Sequence, residues 1–147
     1  MNLFSRRKPM HQKLVICTCI LLYFGCSSQN KIRDTSLQIK YEARTRGVSK
    51  VIVYQKGTIQ SDRNGEKKTF ILDKDQINQI HDALKLIRLK TMNTLESPTD
   101  KRYTDGALFA TFSIQTSNGN YTSREFDDGL PPDELRPLFE LLKKFSQ

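Results

Sequence analysis

The chain has 147 residues, 37% hydrophobic and 27% charged, with 24 Lys and Arg against 16 Asp and Glu for a formal charge of +8. This is ordinary for a soluble globular domain, and the length allows one domain with a core that needs neither metals nor disulfides. Two histidines and three cysteines leave little material for metal or nucleophile chemistry.

Residues 1–25 differ in character from the rest. Arg6, Arg7, Lys8 and Lys13 carry the charge of the first segment, which has no acidic residue. Leu14 to Phe24 is then an unbroken apolar or near-apolar run of eleven residues, followed by Gly25, Cys26 and the polar SSQNK. A basic n-region, a short apolar h-region and a small residue before the cut predict a secretory signal peptide. As a helix the run reaches only ~16 Å, against a hydrocarbon core of ~30 Å, so it is too short to span. The Gly25-Cys26 junction resembles a bacterial lipobox over residues 1–28. The resemblance implies cleavage before Cys26 and acylation of Cys26 with palmitate-type chains. Each buried CH₂ adds ~0.8 kcal/mol, so two or three chains hold a protein on a bilayer almost permanently. Ser27 and Ser28 lack the aspartate that marks inner-membrane retention in some bacteria, so an outer-membrane anchor is the expectation.

This assignment changes the remaining arithmetic. Cys17 and Cys19 fall in the discarded h-region, and Cys-x-Cys is neither a redox pair nor a zinc half-site. Removing four basic residues leaves 20 against 16 acidic ones, a net +4. The remaining basic residues are interleaved with acidic ones, which speaks against nucleic acid as a partner.

Ser27 to about Thr35 reads as a polar tether, making residues 26–35 a linker and 36–147 a single α+β domain. Leu37, Ile39, Tyr41 and Ala43 alternate with Gln38, Lys40, Glu42 and Arg44, the period of a half-buried strand. Further strands are predicted at Val51–Tyr54, Thr58–Ser61 and Lys68–Leu72, separated by turns at Gly47, Gly57 and the Asn64-Gly65 hairpin signal. Asp73 and Gln76 have capping-box spacing, and Ile77, Ile80, Leu84 and Ile87 form the apolar stripe of a helix over 74–88. His81 flanks that stripe and reads as a boundary histidine with a hydrogen bond. Residues 89–106 are irregular, pinned by Leu89, Met92 and Leu95. Ala107–Thr116 is a strand, and Tyr121–Phe126 returns from a turn at Asn118-Gly119. A two-residue loop there sets Phe126 opposite Thr111, and one more residue sets it opposite Phe112; the register stays open between them. Pro131-Pro132 is expected to start a last helix whose stripe is Leu135, Leu138, Phe139 and Leu142, with Pro137 in its first turn. The order ββββ–α–ββ–α predicts an antiparallel meander with two helices packed on one face.

The dense polar constellation is residues 98–106 with residues 124–131. An antiparallel hairpin brings them together, so Asp100, Lys101, Arg102, Asp105, Arg124, Asp127 and Asp128 form a candidate patch on loops held by a sheet. It serves either as a recognition surface or as a network that fixes the long loop and docks the last helix. Read as exposed pairs, these charges contribute only ~0–1 kcal/mol each. On that basis Arg102→Ala with Asp127→Ala is expected to leave thermal stability nearly unchanged. The segments PTDKRYTDGALFATFSI and NGNYTSREFDDGLPP resemble a group of small bacterial envelope lipoproteins over roughly residues 37–146. That resemblance implies a location and a fold, with no activity and no catalytic residues to carry over. Walker, GxGxxG, HExxH and GxSxG motifs are lacking, so no cofactor, metal site or catalytic residue is predicted. The leading expectation is a lipid-anchored binding or accessory protein, with another envelope protein as partner. The alternative is an inhibitor of a secreted protease or lysozyme, which calls for a protruding Asn-Gly turn with an apolar or acidic tip. An enzyme would need a pocket holding at least two of the four aspartates.

Overall fold

The computed structural model describes residues 36–104 and 106–147; the signal segment, Cys26, the tether and Asp105 lie outside the described residues. Alternating strands build an antiparallel sheet. β1 (Gln38–Thr45), β2 (Val48–Gln55), β3 (Thr58–Arg63) and β4 (Glu66–Ile71) follow one another with two-residue turns. The strands run one to three residues beyond most of the predicted limits because such turns let pairing continue to the last residue. Asn64 and Gly65 both have positive φ, 54° and 93°, the left-handed pair whose twist matches the flanking strands.

The chain then crosses the sheet through α1 (Lys74–Lys85) and two 3-10 turns, Leu89–Thr94 and Lys101–Thr104. β5 (Phe109–Thr116) pairs antiparallel with β1, and β6 (Gly119–Thr122) and β7 (Phe126–Asp127) both pair with β5. α2 (Arg136–Phe145) ends the fold. The sheet order is β4-β3-β2-β1-β5-β6, with β7 also on β5. This is the α+β class expected, with the last predicted strand divided in two.

One face of the sheet carries the core. Ile39 stands opposite Tyr54 and Ile114, and Tyr54 opposite Ile59, so one buried row crosses four strands. Ile77, Ile80 and Ala83 of α1 and Leu138, Phe139, Leu142 and Phe145 of α2 join the same core. The Tyr41 ring lies 5.1 Å from Phe139 and 5.3 Å from Phe112, coupling helix and sheet through one aromatic cluster. Each such side chain contributes about 1.5–3 kcal/mol through burial.

The helix ends correct two expectations. The capping box at Asp73 and Gln76 is present, with bonds of 2.8 and 2.9 Å. α1 stops at Lys85 rather than 88, however, because Leu86 and Ile87 turn their N–H groups to the carbonyls of Ala83 and Leu84. Glu134 then accepts the Arg88 backbone N–H. At the other helix, Pro132 accepts from Leu135 and Arg136 in a preceding turn, so α2 begins at Arg136 rather than at the proline pair. Pro137 lies in its first turn, where its missing N–H has no helical partner to lose.

The last hairpin follows neither expected register. Thr116 pairs with Gly119, so the turn is centred on Ser117-Asn118, one residue early. Continued unchanged, that register would set Phe126 opposite Phe109, on the face away from the helices. Instead Phe126 pairs with Ala110. One extra residue between β6 and β7 makes a bulge at 123–125 and returns Phe126 to the core, fully buried. Ser123 holds the bulge: its N–H donates to the Phe112 carbonyl at 2.9 Å, and its Oγ accepts the Phe112 N–H at 3.0 Å. Ser123→Ala should therefore orphan a buried N–H and lower stability by about 1–3 kcal/mol, read from urea or thermal midpoints. Deleting Glu125 should remove cooperative unfolding, because Phe126 then turns to the wrong face.

Candidate functional site

Asp127 stands opposite Phe109 at the corner of the sheet, on the face away from the helices. The Lys101–Thr104 turn folds over it, and Asp127 is 0% exposed. Its Oδ2 accepts from the Thr99 hydroxyl and from the Lys101 N–H at 2.8 Å. Its Oδ1 accepts from the Arg102 N–H and from Arg102 Nη1, both at 3.0 Å. Burial alone raises the Asp127 carboxyl; the Thr99 hydroxyl, the Arg102 N–H and guanidinium and the Lys101 N–H outweigh it and hold the group at about 2.

Arg102 is fixed as tightly. Its side chain is 6% exposed, and Nη1 also donates to Ser97 Oγ at 3.1 Å and to the Thr99 carbonyl at 2.7 Å. Nη2 lies 3.1 Å from Asp100 Oδ1 and 3.3 Å from the Tyr103 hydroxyl, while Cζ sits 4.3 Å over the Tyr103 ring. Tyr103 meets Phe109 edge-on at 5.8 Å. These contacts take the loop from the helix layer, where Met92 is buried, to the opposite face of the sheet.

Asp128 points elsewhere. Its Oδ1 accepts from the Tyr41 hydroxyl at 2.5 Å, and its Oδ2 takes the Lys50 ammonium. The Gly129 N–H donates back to the Tyr41 oxygen at 3.3 Å. Burial, then the hydrogen bond to Asp128 and its negative charge, push the Tyr41 hydroxyl well above the ordinary tyrosine range, so it stays a donor. Gly106, Thr45, Ala107 and Leu108 line a cleft with Asp128, so Gly106 and Asp128 are neighbours as the hairpin geometry requires.

The predicted patch thus separates into parts. Asp127 lies beneath the surface, and Arg102 is almost wholly enclosed beside it. Asp100 stays exposed while pairing with Arg102, Lys101 lends its backbone and leaves its ammonium in water, and Asp128 belongs to the Tyr41–Lys50 group. Asp105 falls outside the described residues. Arg124 is on the bulge, beside a cleft of about 430 Å³ lined by Glu96, Ser97, Asp100, Arg102, Tyr103, Arg124 and Glu125. Sequence reasoning missed Lys50 and Tyr41, and it held Thr99 and Glu125 only as members of the 98–106 and 124–131 loops. Tyr41 read only as a core-face residue, and no local signal links Lys50 to Asp128, 78 positions away. Glu125 was accessible as the neighbour of Arg124. His81 does sit at the core boundary, its Nε2 3.3 Å from the Tyr54 hydroxyl. Among the described residues no His, Cys, Asp and Glu cluster is placed to hold a metal.

Burial reverses the expected energetics. Breaking a buried ion pair on one side costs about 3–5 kcal/mol, so Asp127→Ala should be severely destabilising, and the double substitution with Arg102→Ala should also lose stability. Lys101→Ala and Arg124→Ala should stay within about 0.5 kcal/mol of the parent in the same melts. Asp127 is depressed in the fold, so its contribution is present above the ordinary 3.8 and lost as pH falls toward 2. That limb is on the order of 2 kcal/mol and should be missing from the acid titration of Asp127→Asn.

No protein-family model, curated protein or solved structure matches the chain.

Proposed function

We propose that the protein is a lipid-anchored binding or accessory module of the bacterial cell envelope that works through its 98–106 and 124–131 loops. The basic, apolar and Gly25-Cys26 sequence of its N-terminal segment supports the location, with Cys26 as the acylated residue and the outer membrane as the favoured site. Among the described residues no helix is long and apolar enough to cross a membrane.

One observation carries the reading. The chain joins the sheet at Gln38, beside Gln55 and Gln115, whereas Arg44 at the other end of β1 stands opposite Phe109, the partner of Asp127. Eight strand residues at ~3.3 Å set the loops ~25 Å from the point where the tether joins. A loop pair locked by a buried carboxylate, at the end of β1 opposite Gln38, is suited to presenting a surface to a partner. For the inhibitor alternative, the geometry offers no support: the turns at Asn64-Gly65 and Ser117-Asn118 are two residues long, and neither tip is apolar or acidic.

Metabolic labelling with an alkyne palmitate analogue tests the mooring. The protein should label, lose its first 25 residues and sediment with membranes, and Cys26→Ser should remain unlabelled. Recovery of unlabelled protein from the cytosol with Met1 in place would overturn the reading. A photo-cross-linker at Lys101 should capture an envelope component in intact cells, and one at Gln55 should not.

A further inference from the structure

The cleft beside the bulge has a composition that selects a ligand. Its charges are mixed: Glu96, Asp100 and Glu125 are acidic, Arg102 and Arg124 basic. Neither an anion nor a cation is favoured by such a lining, because each meets a like charge within the same cleft. No aliphatic side chain lines it, so it lacks the apolar pocket that anchors a peptide side chain. What it offers is hydrogen-bonding capacity. Among the described residues, Glu96, Arg124 and Glu125 have no side-chain partner. Arg102, enclosed and rigid, keeps its Nε–H without an acceptor, although every other edge of that guanidinium is engaged.

Tyr103 adds a flat apolar surface. Arg102 backs one face of its ring, yet the residue remains 65% exposed. The bulge also has a purpose here. Leaving the ladder at 123–125 takes Arg124 and Glu125 out of the strand register, and both line the cleft that Tyr103 also lines.

We infer that this cleft binds a neutral sugar residue of a glycan. Vicinal hydroxyls both donate and accept, so one sugar edge can donate to the free carboxylates of Glu96 and Glu125 while accepting from Arg124. The C–H face of a pyranose is apolar and packs on an aromatic ring, the part Tyr103 would take. A cleft of about 430 Å³ is of the size that holds one or two such residues. This rests on the binding-module reading and names its ligand.

The test uses the full protein extracted from envelopes in a non-glycosidic detergent, with chitotriose and maltotriose as probes. One of them should shift the amide resonances of Tyr103, Arg124 and Glu125, and Tyr103→Ala should weaken binding at least tenfold. Glu125→Gln makes no contact that the fold requires; it should weaken binding comparably while melting like the parent. Absence of shifts at millimolar sugar, shifts confined to other regions, or binding indifferent to Glu125→Gln would overturn the inference. The Lys101 cross-linker separates the two readings. Capture of an envelope protein without sugar binding rejects the sugar and keeps the module, and failure of both rejects both.

Discussion

A carboxylate taken out of water has to be satisfied by the protein, and Asp127 is the place where this chain meets that requirement. Four donors from residues 99–102 converge on its two oxygens. Three of the four are a hydroxyl and two backbone N–H groups, so the carboxylate specifies the path of the loop and not merely the position of one cation. The Lys101–Thr104 turn exists in its observed place because its N–H groups end on Asp127. The low carboxyl pKa and the enclosure of Arg102 express the same constraint.

That constraint depends in turn on the bulge. Strand side chains alternate strictly, so Phe126 and Asp127 must occupy opposite faces. With one extra residue before them, Phe126 enters the aromatic cluster of Tyr41 and Phe112, and Asp127 turns to the face that the loop covers. Asp128 is then free to reach Tyr41 and Lys50 across the end of the sheet. Three consecutive residues thus tie down the core, the loop and the β1–β2 hairpin. The same departure from the ladder exposes Arg124 and Glu125 beside Tyr103, so the device that secures the fold also shapes the cleft.

Much of the architecture was legible from local pattern. The alternation of Ile39, Tyr41 and Ala43, the Asn64-Gly65 pair and the Asp73–Gln76 spacing each act over a few residues, through pleat, backbone sterics and orphan N–H groups. They predict strand, turn and helix start where these are observed. Hairpin geometry also sufficed to bring the 98–106 and 124–131 segments together, since it needs only the order of the strands. Less legible were the ends. α1 stops early where Glu134, from the far side of the chain, takes the Arg88 N–H, and no reading of residues 74–88 contains that partner.

The sequence by itself determined the fold class and the neighbourhood of the charged loops, because both follow from short-range periodicity and the order of the strands. Only the tertiary structure decided which charges are buried. Asp127 and Asp128 are adjacent and chemically identical, yet one is sealed under the loop while the other joins Tyr41 and Lys50. Their difference is set by a single extra residue in the strand before them, and its effect appears only when that strand pairs with β5.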